Sequence, residues 1–108
     1  MKLSIITINY NNLDGLKKTA ESVLSQIWRD FEWIIIDGGS DDGAKEYIES
    51  IASSKDSNIF YWCSEPDNGI YNALNKGIMH CNGEYVSCMN SGDVYYSHYT
   101  LAQVFSKK

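Results

Sequence analysis

The sequence has few of the residues that build disulfide frameworks and zinc sites. Its 108 residues include three cysteines, an odd number, and no two of them form a CxxC pair. Neither a disulfide framework nor a zinc knuckle is therefore expected. We predict that Cys63, Cys81 and Cys88 are reduced thiols in the core.

Long apolar runs and a leader pattern are also missing. No apolar stretch approaches the roughly 20 residues of a transmembrane helix, and the chain enters the apolar segment Leu3–Ile8 directly. We therefore expect a soluble segment located in the cytoplasm.

Basic residues are too few for a nucleic-acid surface. The chain has 14 Asp and Glu against 9 Lys and Arg, a formal net charge of −5. Binding a nucleic-acid backbone requires a basic surface, so we expect no nucleic-acid partner. This charge remains compatible with a small anionic ligand that is reached through a metal ion.

Common nucleotide and hydrolase motifs are absent as well. NYNNLDG follows the first apolar segment, where a dinucleotide fold would have GxGxxG, and neither GxxxxGK[ST] nor GxSxG occurs. His80 and His98 lie in helical patterns without a nucleophile partner, so hydrolase chemistry is not expected.

The most informative stretch is FEWIIIDGGSDDG, residues 31–43. Its apolar run does not alternate and stops at Asp37, which is typical of a strand covered on both faces in a parallel sheet. Ligands bind beyond the carboxyl ends of such strands. Ser40 is expected to cap the following helix and to place Asp41 and Asp42 in its first turn. Helix capping and a ligand site explain these two carboxylates equally well.

The same plan recurs along the chain. Strands are predicted at Leu3–Ile8, Phe31–Ile36, Ile59–Cys63 and Tyr85–Met89, each followed by apolar residues at helical spacing. The first helix is expected to begin after Asn12 as its N-cap and to carry an apolar face that reaches Ile27. This order predicts an α/β fold, a mainly parallel sheet of about four strands flanked by helices.

The third helical pattern has an unusual polar face. Opposite its apolar stripe lie a phenol, two amides and one lysine, namely Tyr71, Asn72, Asn75 and Lys76. Such a row near a helix N-terminus suits a polar ligand, and an ordinary solvated face explains it equally well.

The four loops bring polar residues to one edge of the predicted sheet. They are Asn9, Tyr10, Asn11, Asp37, Asp67, Asn68, Asn90 and Asp93. Carboxylate oxygens select hard cations such as Mg²⁺ or Mn²⁺, which commonly bridge to substrate phosphates. A diphosphate held through a metal ion is therefore the simplest hypothesis.

Four segments, taken in order, resemble the N-terminal half of the family 2 glycosyltransferases with the GT-A fold. They are SIITINYNN, FEWIIIDGGSDDG, SEPDNGIYNALNKGI and GEYVSCMNSGD. The resemblance covers Leu3 to about Tyr96 and implies a GT-A/Rossmann-like three-layer sandwich. It implies transfer of a sugar from a nucleotide-diphosphate sugar, a UDP-sugar, to a glycan or lipid-linked acceptor. PDNGIYNALNKGI resembles the branch that builds bacterial surface polysaccharides.

The resemblance also implies residue roles in donor binding. Those expected to contact the nucleotide sugar are Asn9, Tyr10, Asn11, Asp37, Gly38, Asp67, Asn68, Lys76 and Asn90. Gly38 stands where many members carry a second Asp that reads the base, so backbone groups of this loop are expected to contribute there.

The metal site departs from the family pattern. The family's DxD motif, which holds Mg²⁺ or Mn²⁺ on the donor diphosphate, falls here on Asn90 and Gly92. The next residue, Asp93, is acidic and is the expected metal ligand.

Family members continue well past this point with an acceptor-binding half. We therefore expect residues 1–108 to be the N-terminal donor-binding part of a truncated GT-A domain, inactive by itself. The general base of an inverting transfer is expected beyond Lys108. Apolar surface left uncovered is expected to promote self-association.

The alternative is a non-enzymatic signalling module on a flavodoxin-like, receiver-like sheet, with Asp37 as phosphoacceptor. Such a module would need clustered acids after the first strand and a lysine at the end of a late strand. The residues actually present are Asn9–Asn12, which are amides and a phenol, and Lys76, which lies on a helical pattern.

Overall fold

The computed structural model describes residues 2–67 and 69–105, in which strands and helices alternate. The elements in chain order are β1 (Leu3–Asn9), α1 (Leu13–Leu24), β2 (Phe31–Asp37), α2 (Ala44–Ala52), β3 (Ile59–Ser64), α3 (Ile70–Met79), β4 (Tyr85–Cys88) and α4 (Thr100–Phe105). Each strand matches its predicted counterpart to within one residue at either end.

The strands form one parallel sheet in the order β3-β2-β1-β4. Leu3 pairs with Phe31, and Asn9 with Asp37, so β1 and β2 end level with each other. β2 and β3 follow β1 on one side of the sheet, and β4 pairs with β1 on its other side. The order is that of the first half of a Rossmann sheet, whose ligand crevice lies where the chain changes sides.

Helices cover both faces of the sheet, because β2 sends apolar side chains to each face. Trp33 and Ile35 belong to a core cluster that includes residues of α1, α2 and α4. Ile34 and Ile36 pack instead with Ala73 of α3. All residues of β2 are buried, as the non-alternating run predicts. The α/β three-layer prediction is confirmed.

A buried carboxylate fastens the edge of the sheet where the strands begin. Glu32 accepts hydrogen bonds from Ser4 Oγ (2.6 Å) and from the backbone and side-chain nitrogens of Asn82. Burial by itself would raise the pKa of Glu32, but the hydrogen bonds from Ser4 and Asn82 lower it below its ordinary value. This cluster attaches the turn between α3 and β4 to the sheet.

Some predicted details are wrong. The three thiols are free, as predicted, and Cys63 and Cys81 are partly buried against the core, but Cys88 is exposed and not a core residue. Ile27 is 57% exposed because α1 ends at Leu24, before the predicted apolar face does. The prediction of Asn12 as N-cap is confirmed, since its Oδ1 accepts from Gly15 N at 3.1 Å. In the part of the chain described, no helix has the length and apolarity to cross a membrane.

Candidate functional site

The carboxyl ends of the strands meet at one edge, as predicted, and polar loops follow each of them. Asn9, Asp37 and Ser64 stand in register there, as the last residues of β1, β2 and β3. The loop after β4 lies next to β1, where Ser91 N donates to Ile8 O at 3.1 Å. Of the predicted rim residues, Asn68 lies outside the described residues.

Asp37 is the hydrogen-bonding centre of this edge. Its Oδ1 accepts from Asn9 Nδ2 (2.8 Å) and Ser40 Oγ (2.7 Å). Its Oδ2 accepts from Ser40 N (2.9 Å) and Ser64 Oγ (2.7 Å). Burial by itself would raise the pKa of Asp37, but hydrogen bonds from Ser40, Asn9 and Ser64 lower it below its ordinary value. Both carboxylate oxygens are therefore satisfied by hydrogen bonds within the protein.

The predicted contact between Asp37 and the nucleoside stays a prediction, and the structure adds a supporting role for this side chain. The side chain is 0% exposed, and both of its oxygens already accept hydrogen bonds from protein groups. In the structure this carboxylate connects the ends of β1 and β3 to the loop after β2, through Asn9, Ser64 and Ser40.

The loop after β2 differs from the capping prediction. Gly43, at φ 98°, occupies the N-cap position of α2 without a side-chain bond, so Ser40 is not the cap. Asp42 instead accepts from Leu13 N (3.0 Å) and Ala44 N (3.2 Å), the first residues of α1 and α2. Its predicted helix-terminus role is confirmed, but it lies before α2 and not in its first turn.

The loop after β1 is held from two sides. The buried Asn9 donates to Asp37 and accepts from Ser91 Oγ at 2.6 Å, so one amide links the loops after β2 and β4. Asn11, at φ 46°, accepts Asp41 N on its Oδ1 and donates its own backbone N–H to Ser40 Oγ. Tyr10, between them, is 64% exposed.

Asn90–Asp93 form a tight turn anchored on α1. Asn90 N donates to Asp93 Oδ2 (3.0 Å), and Asp93 N donates to Asn90 O (2.8 Å). The buried Thr19 donates its hydroxyl to Asp93 O (2.7 Å) and accepts from Gly92 N (2.9 Å). The turn is therefore fixed in place while Asn90 and Asp93 remain exposed.

The donor set of this turn fits a divalent cation only in part. Within residues 2–67 and 69–105 no three His, Cys, Asp or Glu side chains come together as a metal cage. Asp93 offers one exposed carboxylate, of which Oδ2 also accepts Asn90 N. Mg²⁺ typically uses one or two carboxylates, several waters and substrate phosphates. The residues present fit an ion shared with a bound diphosphate.

A cleft of about 450 Å³ opens beside these loops. Its walls are Ile8, Asn9, Tyr10, Gly38, Pro66, Asp67, Gly69 and Ala73. Four of the predicted donor residues therefore meet in one cavity. Lys76 is not among its walls, and its Nζ pairs with Glu65 Oε2 at 3.2 Å.

A larger cleft, of about 630 Å³, lies between α1 and residues 94–99. None of the predicted site residues lines it, and the strand-end loops do not converge on it. We place the candidate site in the smaller cleft because residues from the loops after β1, β2 and β3 meet there.

Sequence reasoning missed several residues that support the site. Ser64 and Ser91 bind Asp37 and Asn9, and Thr19 holds the turn after β4. A signal existed for Thr19, since it falls among Leu16, Ala20 and Val23 on the buried face of α1 as a polar residue. Ser64 and Ser91 carry no comparable pattern.

The solved structures that this chain resembles show a GT-A glycosyltransferase fold, which the resemblance implied. The structure superposes with a TM-score of 0.83 on a mannosyltransferase from Pyrobaculum calidifontis in complex with GDP-Man and Mn²⁺, at 23% identity over 94% of this chain and 30% of that one. S. aureus TarS in complex with UDP-GlcNAc gives a TM-score of 0.85 at 22% identity, over 98% and 30% of the two chains.

Residues 4–107 match the family model for glycosyl transferase family 2, and the chain belongs to this family. An uncharacterized glycosyltransferase of Mycobacterium tuberculosis is 41% identical over 102 residues, which is 94% of this chain and 37% of that protein. One of Rickettsia typhi is 35% identical over 94 residues, 87% and 28% of the two chains. The chain thus spans about a third of the length of these relatives.

The receiver-like alternative does not agree with these findings. A phosphoacceptor must be accessible, whereas Asp37 is fully buried and bound by Asn9, Ser40 and Ser64. The family match assigns the chain to glycosyltransferases.

Proposed function

We propose that this chain forms the donor site of a glycosyltransferase that uses a nucleotide-diphosphate sugar, a UDP-sugar. The observation that carries the proposal is the cleft in which Tyr10, Gly38 and Asp67 meet, with the turn Asn90–Asp93 on the other side of β1. The nucleoside would occupy the cleft, and the diphosphate would extend across the end of β1 toward the turn. Support comes from the structural neighbours, which were solved with GDP-Man and UDP-GlcNAc.

Recognition of the nucleoside rests on a ring and on fixed loops. Tyr10 is exposed and offers a face on which a base can stack, an interaction worth roughly 1–3 kcal/mol. Asn9 and Asp37 hold the loops that flank this ring at fixed positions. The cleft is therefore shaped before a ligand arrives, which lowers the entropic cost of binding.

Metal dependence belongs to the proposal as well. Asp93, with the neighbouring Asn90 amide, would hold Mg²⁺ or Mn²⁺ against the donor diphosphate. When bound, such an ion acts as a Lewis acid that neutralises charge on the departing diphosphate. The chain's own contribution is to keep Asp93 in place, through the bonds from Thr19 and Asn90 to the turn.

We further propose that the acceptor and the catalytic base are bound or supplied outside residues 1–108. The acceptor is a glycan or lipid-linked sugar of bacterial surface polysaccharide synthesis, and transfer inverts the anomeric configuration. The general base and the acceptor site belong to residues beyond Lys108. We propose a cytoplasmic location at the inner face of the membrane, where a lipid-linked acceptor would be reached.

Calorimetric titration of the full chain with UDP, in the presence and absence of Mn²⁺, tests the donor site. We expect saturable binding that Mn²⁺ strengthens, and loss of the Mn²⁺ effect in Asp93→Asn. Tyr10→Ala should weaken UDP binding about tenfold or more, whereas Tyr10→Phe, which keeps the ring, should bind like the wild type.

A matched control variant distinguishes the effect of Asp93→Asn from a general effect of removing one negative charge. Asp30→Asn removes one exposed carboxylate at the opposite edge of the sheet, so it should leave UDP binding and its Mn²⁺ dependence unchanged. A folded wild-type protein that shows no heat of UDP binding with Mn²⁺ present would overturn the proposal.

A further inference from the structure

Gly38 lies next to a carboxylate from another loop. A Cβ placed on Gly38 would lie 3.3 Å from Asp67 Oδ2 and 3.3 Å from Tyr10 Cδ1. Both distances are shorter than ordinary van der Waals contact with a Cβ. The space beside the backbone of residue 38 is therefore already filled by Asp67, from the loop after β3, and by the Tyr10 ring.

The Asp67 side chain is oriented by its own loop. Its Oδ1 accepts Gly69 N at 3.0 Å, an Asx-type turn, while its Oδ2 is the atom closest to Gly38. The residue is half-buried and lines the cleft together with Tyr10. The Asp67 carboxylate and the Tyr10 ring are thus walls of one cleft, and both lie next to Gly38.

We propose that Asp67 selects the base of the nucleotide by accepting a ring N–H through its carboxylate. This inference rests on the proposed donor site and names what that site recognises. An ionised carboxylate can only accept hydrogen bonds. Uracil and guanine present a ring N–H next to a carbonyl, at N3 and N1 respectively. Cytosine and adenine present a lone pair at the corresponding ring nitrogen, which the carboxylate repels.

The glycine at 38 leaves this space to Asp67 and Tyr10. A side chain there would require Asp67 Oδ2 and the Tyr10 ring to shift slightly, and an acidic one would add a like charge next to Asp67. The space beside residue 38 therefore suits one carboxylate, which Asp67 supplies.

Calorimetry of the full chain with UDP, GDP, CDP and ADP at fixed Mn²⁺ tests the inference. We expect the wild type to bind UDP or GDP at least about tenfold more tightly than CDP and ADP, because one charged hydrogen bond is worth roughly that much. Asp67→Asn should lose this preference, since its amide also offers a donor to cytosine N3 or adenine N1. Asparagine can still accept Gly69 N, so the turn is retained.

The outcomes separate this inference from the donor site itself. Equal affinity of the wild type for all four nucleotides, or an unchanged preference in Asp67→Asn, would overturn the role of Asp67 and leave the donor site standing. Absence of binding for every nucleotide would overturn both. If Asp67 had only a structural role, Asp67→Asn would weaken the binding of all four nucleotides alike. The ratio of UDP to CDP affinity is therefore the decisive quantity. Asp30→Asn is the matched control and should keep the wild-type ratio.

An exchange variant gives a second readout. In Gly38→Asp combined with Asp67→Asn, the carboxylate returns to the same space from the neighbouring loop, and we expect the preference for UDP over CDP to recover. Gly38→Asp alone should weaken UDP binding because two carboxylates then share the space. If the combined variant showed the same ratio of UDP to CDP affinity as Asp67→Asn, the proposed position of the carboxylate would be contradicted.

Discussion

Asp37 shows how a buried carboxylate can order the loops beside a cleft. Three strands end level with one another, so Asn9 and Ser64 flank the Asp37 carboxylate from either side. Ser40 approaches from the loop above. An acceptor-only group surrounded by donors fixes the loops on both sides of the cleft.

Replacing the Asp37 carboxylate should destabilise the fold. Asp37→Asn puts an NH₂ group where four donors now converge, so at least one buried donor loses its acceptor. We expect the free energy of unfolding to fall by about 1–3 kcal/mol in urea denaturation. Asp41→Asn, at an exposed position in the same loop, should unfold like the wild type. Equal stability of Asp37→Asn and the wild type would show that the network contributes little.

At the scale of elements, the turn after β4 depends on α1. Thr19 is buried in the helix and uses one hydroxyl both to donate to Asp93 O and to accept Gly92 N. The helix thereby determines where Asp93 stands, although 74 residues separate the two in sequence.

Thr19→Val tests this dependence, because valine keeps the shape and removes the hydroxyl. We expect a loss of about 1–2 kcal/mol in the free energy of unfolding and a smaller gain in UDP affinity on adding Mn²⁺, both measured against Thr19→Ser. UDP binding without metal should change little, since Thr19 is not a wall of the cleft. A full Mn²⁺ effect in Thr19→Val would contradict the anchoring role.

The elements themselves follow from sequence patterns, whereas the contacts between loops do not. The run Trp33–Ile36 identifies a strand covered on both faces, and the repeated strand–helix order gives the parallel sheet. The partners of Asp37 depend on which residues stand side by side in the sheet. Nothing in the sequence around Ser64 or Ser91 reveals that register. The sequence likewise does not show that Ser40 binds Asp37, so its position before a helix predicts a helix cap instead.

At the scale of the whole molecule, two buried carboxylates make stability depend on pH. Asp37 and Glu32 both have a pKa below the ordinary value in the folded state. The unfolded chain therefore binds more protons in acid, so their contribution is complete above the ordinary carboxyl pKa of about 4. It is lost as the pH falls through the lowered folded values.

Urea denaturation at a series of pH values measures this dependence. We expect a stability plateau from neutral pH down to about pH 5 and a steep decline in more acidic solution. The decline should be shallower in Glu32→Gln, which no longer titrates at that position, and should be unchanged in Glu49→Gln, an exposed control. The same slope in Glu32→Gln and the wild type would contradict the lowered pKa.

Self-association also remains a prediction at this scale. Tyr85 and Val86 on the edge strand β4, and Val104 on α4, are exposed, and together they line part of a cleft of about 590 Å³. Exposed apolar residues at a sheet edge favour pairing between copies. We expect sedimentation of the 108-residue chain to show mass rising with concentration, and Val86→Lys to reduce the effect. A monomer at every concentration would refute it.

We propose that the carboxyl edge of the sheet is a nucleotide site. This can be tested by amide chemical-shift mapping of the ¹⁵N-labelled chain during a UDP titration with Mg²⁺. We expect the largest shifts at Tyr10, Gly38 and Asp67, smaller ones at the turn Asn90–Asp93 and none at Lys2 or Asp30. Shifts concentrated in residues 94–99, where the larger cleft lies, or no shifts at all, would contradict it.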